Sequence, residues 1–559
     1  MVVPGLTRPQ IEMATKLVKR DIEDNHTFTN RKRGFHNHFN HHMLASLTLG
    51  ASAARLEHIY KRVHRPMELR NLGYVPGIQI TPGNIDIYRH KDALYSDWLL
   101  YYLETIKANG GDWAKVLEEY FFHPSLFSGN MSGVFHPLIQ VGYGAEFECE
   151  AIVAQGLAMG SVSKPTFGYL FNTNGDLLGD ECEAAENGTA MGSDAGMKDM
   201  MSGSMESNAG MKDMMSGSME SNAGMKDMMG KSMESNAGMK DVMSESMESN
   251  AGMKDMMGKS MESDAGMKDM MGKSMNAMDV KTMSDKMNCC RLANNKAGTS
   301  LLSILNQVQH DKSFVPIVES FTGGDPFDDF VKKAGREVSI YASKWKISQD
   351  PDAISLKTKE FYLAACLLYA STPKKDFFLA HGVTSAYFLP ILLPLFSIKN
   401  QIRLLRAHWA ALLAFYIVVG TPEIKYPSQT TDSQSQEGET ERWSKIFADS
   451  IDNDDEHLAK VTRGLWRGST LFAYPLSPKE KALLSQWQND DTQFEYPWPI
   501  SPPDWTSVAE DTLKQVYNES SGNPAGTWEK YLNPKTMEIF EEQRKSDAAA
   551  AAAAAAAKK

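Results

Sequence analysis

Cysteine is scarce: five residues in 559, at Cys149, Cys182, Cys289, Cys290 and Cys366. An odd count with no C-x-x-C pair excludes a disulfide framework and the usual zinc-finger spacing, and predicts a reducing, cytoplasmic setting. No long Lys/Arg run is present either, and 58 basic against 70 acidic residues leave a net charge of −12. A chain of that sign has nothing to attract a phosphate backbone, so nucleic acid is not an expected partner. The amino terminus, "MVVPGLTRPQIEMATKLVKRD", lacks the apolar core of a signal peptide. The two most apolar stretches, 383–398 and 409–420, are short or carry prolines, and Arg403, Arg406 and His408 separate them. They predict buried helices, with no membrane span. The pair Gly142 and Gly144 lacks the third glycine of a dinucleotide fingerprint, so a built-in Rossmann site is unsupported. With neither H-E-x-x-H nor a nucleophile elbow, a zinc hydrolase is a weak reading.

Methionine, by contrast, is concentrated: 27 of the 34 lie between Met191 and Met287. There Ala-Gly-Met recurs at Ala195, Ala209, Ala223, Ala237, Ala251 and Ala265, a period of 14 residues. Two heptads per unit put Met211, Met215 and Met219 on one helical face, but the Gly, Ser and Asn of each unit disfavour helix. Without aromatic and with few branched aliphatic residues the repeat cannot build a core, which predicts a disordered insertion over 190–288. Thioethers also suit Cu(I), although methionine without nearby Cys or His discriminates poorly. The insertion separates an N-terminal half, 1–189, from a C-terminal half, 289–547, and a poly-Ala tail covers 548–559.

Both halves show helical periodicity and little strand alternation. Phe39, Met43 and Leu47 repeat every four residues with Gly50 as a C-cap, and 95–111 runs from a polar start to a Gly-Gly end. Residues 358–371 and 400–420 continue the pattern. The expected fold class is mainly α, a large helical domain in which the two halves share one core and the Met-rich insertion is extruded as a loop.

Histidine is the residue that clusters next: "GFHNHFNHH" (34–42) holds four of the 14 histidines. With Asn37 as a cap, His38 and His42 are four residues apart on one helical face, with His41 beside them, a spacing that can chelate a divalent metal. It also occurs in solvated or capping histidines. His136, before Pro137, is a ligand or a helix cap. In "STPKKDFFLAHGVTS", Ser371 or Thr372 is read as a cap with Pro373 at the first helical position, which puts Lys374 seven residues before His381 and on nearly the same face. A lysine turned into that apolar interior would lose its charge, becoming a base or a carbamate by reaction with CO2. Alternatively Lys374 reaches solvent and His381 is a hydrogen-bonded core residue. In "DNDDEHLAKVTRGL", His457, Lys460 and Arg463 after an acidic run read as ordinary helix-dipole chemistry.

Taken together, "NHFNHHMLASLTLGAS", "HPLIQVGYGAEF", "CLLYASTPKKDFFLAHGVTSAYFLP", "LLRAHWAALLAFYIVVGTP" and "HLAKVTRGL" resemble, in order, the questin-oxidase-like family of fungal oxidases from aromatic polyketide pathways. The resemblance implies an oxygenase that uses O2 on an anthraquinone-like aromatic polyketide, by Baeyer-Villiger type oxygen insertion or oxidative ring cleavage. It also implies a nonheme Fe(II) centre of four histidines and a carboxylated lysine, matched here by His38, His136, His381, His457 and Lys374, with His42 and then His41 as substitutes. Tyr143, Phe377, Phe378, Tyr387 and Trp409 are the expected walls of an aromatic substrate pocket. The chain departs from the pattern at Gln140, where relatives carry a second histidine, and in the Met repeat. Two other readings stand beside this one: an NADPH-dependent Baeyer-Villiger monooxygenase served by a reductase, and a non-catalytic helical binding protein.

Overall fold

The computed structural model describes residues 5–30, 35–63, 75, 77–172, 176–180, 298–320, 326–372, 374–427, 436–473, 476–490 and 503–516. The chain divides into two units, one formed by Met1–Cys182 with Asn295–Lys559 and the other by Glu183–Asn294. The second unit, with the Met repeat, and the poly-Ala tail lie outside the described residues.

The first unit is mainly α. The helices that build the site are α1 (Arg8–Asp24), α2 (Phe39–Leu49), α3 (Tyr95–Ala108), α4 (His136–Glu146), α5 (Glu150–Val162), α6 (Pro326–Ser343), α7 (Pro351–Ala370), α8 (Phe377–Ala386), α9 (Ile398–Val418) and α10 (Leu458–Ala473). The pairing of a short strand β1 (Phe28–Asn30) with β2 (Phe35–His36) forms an antiparallel hairpin that leads into α2, an element the scarcity of alternation did not predict. Local chemistry sets the boundaries. Gly50 takes φ 106° and ends α2, while Gly110 and Gly111, at φ 72° and 87°, follow α3, conformations that L side chains disfavour.

The core is continuous across both halves of the sequence. Helix α4 packs on α5, α2 and α8, and α10 packs on α2 and α8. Close approach of α4 to its neighbours depends on small residues: a Cβ on Gly142 would lie 2.2 Å from the Phe388 ring, and one on Gly144 would lie 2.6 Å from Val153. The glycines of that stretch therefore serve helix packing. Phe39, Met43, Trp98, Leu138, Phe361 and Leu412 are completely buried. The stretch Phe377–Leu395 is long and apolar enough to cross a membrane by length and composition, yet most of it is buried inside the fold, where its apolar residues join the core.

Candidate functional site

Four histidines enter the interior at or near the starts of helices, and for three of those helices a side-chain acceptor fixes where the helix begins. Asn37 Oδ1 accepts from Phe39 N at 2.9 Å, which starts α2 with His38 at its cap position. Asp376 Oδ1 accepts from Phe378 N and Leu379 N and starts α8, carrying His381. Asp455 Oδ1 accepts from the backbone N of His457 and of Leu458 and starts α10. His136 opens α4 after Gly133, Val134 and Phe135, three successive residues at φ 58°, 54° and 64°. Left-handed backbone at Val and Phe is costly and is held only by its surroundings.

The four imidazoles form a closed ring. Centroid separations run 4.5 Å for His38–His136, 5.0 Å for His136–His381, 5.1 Å for His381–His457 and 4.9 Å for His457–His38. One nitrogen of each of His38, His381 and His457 lies within 4.8 Å of the other two, and His136 Nε2 lies 2.7 Å from His38 Nε2. All four side chains are buried.

Backbone carbonyls fix the tautomers. His38 Nδ1 contacts His36 O at 2.8 Å, His136 Nδ1 contacts Gly133 O at 2.5 Å, and His381 Nδ1 contacts Phe377 O at 2.7 Å. A carbonyl only accepts, so each Nδ1 carries the hydrogen and each Nε2 a lone pair. With those tautomers His38 and His136 turn two lone pairs on each other at 2.7 Å, an arrangement that a cation beside them would relieve. A shared proton is disfavoured: burial lowers His38, His136 and His381 well below the usual histidine range, and the Lys460 charge pushes the same way. A transition metal fits, since imidazole is a borderline donor and nitrogens about 2.1 Å from an ion stand roughly 3 Å apart when cis. Carbonyl-anchored Nδ1–H groups are also the usual outer support of ligating histidines. His381 Nε2 has no hydrogen-bond partner, as a ligand nitrogen would not.

The buried lysine of this site is Lys460, one turn into α10 from His457. Its side chain is 2% exposed and its Nζ has no hydrogen-bond partner. Burial depresses its basicity, opposed by Glu456 and Asp455. Lys374, expected in this place, is exposed and lies before α8. The reason is the cap: α7 runs on to Ala370 and α8 starts only after Asp376, so Lys374 sits in the connection and never shares a helical face with His381. Pro373 lies outside the described residues.

The remaining expected residues divide. His41 is buried with its ring 5.8 Å from His136 and 5.3 Å from Tyr143, nearly parallel to both. His42 is buried but stands outside the converging nitrogens. Phe377 lies against His381 and His457 at 4.6 and 5.0 Å. Tyr143 and Tyr387 flank Arg463, whose guanidinium carbon is 5.5 and 4.2 Å from their ring centroids. Phe378 and Trp409 do not join them: Phe378 packs on Phe327 and Phe415, and Trp409 on Trp345, as core aromatics at helical spacing do. Arg463 and Glu146, absent from the expected set, form a buried ion pair at 2.5 Å, and Tyr387 donates to Glu146 Oε1 at 2.8 Å. The spacing Lys460-x-x-Arg463 on one face of α10 was the available signal for both cations.

The turn before His136 gives a first prediction. A Cβ on Gly133 would stand 2.6 Å from His36 Cε1, and the His36 ring stacks on His136 at 4.4 Å with planes 4° apart. Gly133→Ala is expected to cost about 1–2 kcal/mol for the left-handed backbone alone and to push His36 into His136, lowering the denaturation midpoint together with any metal retained after iron loading. Unchanged metal content in the variant would separate the turn from the site.

These features define a mainly α protein with a buried centre of four imidazoles and a lysine. A family model described as questin oxidase-like matches residues 35–465, and the chain belongs to that family. It is 22% identical over 492 residues to Baeyer-Villiger oxidase GME11358 of Pestalotiopsis microspora, covering 84% of this chain and 83% of that protein. It is 28% identical over 171 residues to oxidoreductase AflY of Aspergillus parasiticus, covering 29% of this chain and 34% of that protein. Questin oxidase of Aspergillus terreus is 29% identical over 162 residues, covering 26% and 34%. In the latter two matches the chain spans about a third of the relative's length.

Proposed function

We propose that this chain is an oxygen-using oxidoreductase acting on an aromatic polyketide, with iron held by His38, His136, His381 and His457 and by Lys460 as its carbamate. The names of the relatives, Baeyer-Villiger oxidase and questin oxidase, support the reaction class. The single observation that carries the site is the 2.7 Å contact between His38 Nε2 and His136 Nε2, which the carbonyl-bound Nδ1 atoms make a pair of facing lone pairs that a metal ion would relieve. The unpartnered Lys460 Nζ supports the fifth ligand: a neutral amine adds to CO2 with loss of a proton, and the carbamate brings the negative charge that four neutral imidazoles lack. When bound, iron(II) supplies the electrons that make O2 reactive toward an electron-rich ring or ring ketone.

The chain's own residues do the rest. The buried imidazoles keep bulk water from the donor set, and Phe377 offers a flat apolar surface beside His381 and His457 for a planar ring. Baeyer-Villiger insertion places one oxygen atom in a C–C bond beside a carbonyl and reduces the other to water. That consumes two electrons from an outside donor, for which NADPH, directly or through a reductase, is the proposed source; ring cleavage that retains both oxygen atoms needs none. Oxygen uptake by iron-loaded protein and a planar hydroxyanthraquinone, with and without NADPH, is expected to separate the two outcomes. The site itself is tested by anaerobic iron loading. Wild type is expected to retain iron through desalting and His381→Ala to lose it; full retention by the variant, or none by wild type, overturns the assignment.

A further inference from the structure

A buried carboxylate on α1, Asp21, stands outside the histidine ring yet faces the amides that lead to it. Asp21 is completely buried. Its Oδ1 accepts from Asn25 Nδ2 and Asn37 Nδ2, each at 2.9 Å, and its Oδ2 accepts from Asn40 Nδ2 at 3.1 Å. Burial raises the Asp21 carboxyl pKa to about 6, against which the amides of Asn37, Asn25, Gln155 and Asn40 favour its anion, the form that prevails at neutral pH. A carboxylate only accepts, so every amide facing it turns its NH2 inward and its oxygen outward.

Two arms follow from that orientation. In the first, Asn37 Oδ1 is left to accept from Phe39 N at 2.9 Å, which starts α2 and sets His38 at its cap position. In the second, Gln155 Oε1 accepts from Asn40 Nδ2 at 3.0 Å and from Gln140 Nε2 at 2.9 Å. Gln140 gives one NH2 hydrogen to Gln155, which orients its amide, and its side chain favours the protonated form of the His41 ring, although neither His41 nitrogen completes a hydrogen bond of normal geometry. Asn40, Gln155, Gln140 and His41 are all buried, so water does not compete along either arm. An amide reversed anywhere would set oxygen against oxygen or NH2 against another donor, and this one-way order is what a single anion can impose on a chain of otherwise reversible amides.

We propose that Asp21 is a positioning residue for the histidine cluster: through Asn37 it fixes the placement of His38, and through Gln155 it fixes the orientation of the Gln140 amide that acts on His41. The proposal rests on the reading of the cluster as functional, but its test has a readout of its own. Asn25 binds the same carboxylate oxygen and reaches Tyr60 rather than the histidine ring, which makes it an internal control.

Protein labelled with 15N-histidine reports each ring's tautomer through the coupling pattern of its two nitrogens, with His38 and His41 assigned from His→Gln variants. Asp21→Asn, which keeps the shape but brings its own NH2, is expected to shift the His38 signals and to mix or exchange the His41 tautomer. Gln155→Met cuts one arm and is expected to move His41 alone. Asn25→Ala is expected to lower stability and move neither. Cobalt(II) affinity, read from its visible absorption, is expected to fall about 10- to 100-fold in Asp21→Asn, the usual cost of losing outer support of a ligand, and to stay at the wild-type value in Asn25→Ala. Folded Asp21→Asn with wild-type His38 and His41 signals overturns the proposal, as does a Gln155→Met variant in which His41 is unmoved. A wild type that takes up no cobalt overturns the metal reading alone, and the imidazole signals still decide the role of Asp21.

Discussion

Lys460→Met is expected to lose bound iron and oxygen uptake, whereas Lys374→Ala keeps both near wild-type levels. The two lysines differ in environment: Lys460 is 2% exposed with an unpartnered Nζ whose charge acts on His38, His41, His136 and His381, and Lys374 is exposed ahead of α8. Losing outer support of a ligand costs about 10- to 100-fold in metal affinity, so losing a ligand should cost at least about 100-fold. Methionine preserves the length and apolar stem of the side chain, which keeps packing loss small. The carbamate has a direct signature. Protein equilibrated with 13C-bicarbonate is expected to show a protein-bound carbamate carbon that is absent from Lys460→Met, and in a Lys460→Ala variant added acetate is expected to restore part of the iron binding by supplying a carboxylate to the vacated space. A Lys460→Met protein with full iron content and turnover would remove the lysine from the site; loss in Lys374→Ala instead would return the role to the residue that the sequence first nominated.

That exchange of lysines shows what was legible and what was not. Helix starts and stops were readable where the determinant is local: Gly50 ends α2, the Gly-Gly pair follows α3, and Phe39, Met43 and Leu47, spaced by four, are all buried. The histidines stood out because three of them, His38, His136 and His457, precede or open helices in stretches of unusual composition. What the sequence did not resolve was competition between neighbouring caps. Ser371, Thr372 and Asp376 are all acceptable N-caps, and only the tertiary setting selects Asp376, which shifts Lys374 off the helix. Lys460 was passed over because a base after an acidic run is ordinary on a solvated helix; its inward direction depends on α10 packing against α2 and α8, a long-range fact. The same holds for the aromatics. Phe377 and Phe378 are adjacent, and the α8 register alone sends one to His381 and the other to Phe327 and Phe415. Asp21 gave no signal at all, since one carboxylate in an amphipathic helix is indistinguishable from a surface residue until its amide partners arrive, Asn25 from the next turn and the others from positions 16 to 134 residues away.

Arg463→Met should lower the unfolding free energy by about 3–5 kcal/mol, the cost of leaving one partner of a buried ion pair uncompensated. Arg463 and Glu146 are 3% and 6% exposed in their side chains and lie 2.5 Å apart. Burial lowers the Arg463 basicity, and the Glu146 carboxylate with the phenols of Tyr387 and Tyr143 more than reverses it, so the cation is firmly held. Without it Glu146 keeps only the Tyr387 hydroxyl, and its Oε2 already lacks a partner. The paired replacement Glu146→Leu with Arg463→Met removes both charges and is expected to recover most of the loss, short by about 1–3 kcal/mol because the Tyr387 hydroxyl is then left unbonded. Urea midpoints of the two singles and the double form the cycle, and equal losses in Arg463→Met and the double would show that packing, not the unpaired carboxylate, dominates. The site feels the same substitution. Arg463 follows Lys460 by three residues on α10 and ties that face of the helix to Glu146 of α4, the helix that His136 opens. Loosening the tie should therefore weaken metal binding in the single variant, and restoring stability in the double without restoring metal would mean that the ion pair holds the two helices in register for the imidazoles as well as holding the fold.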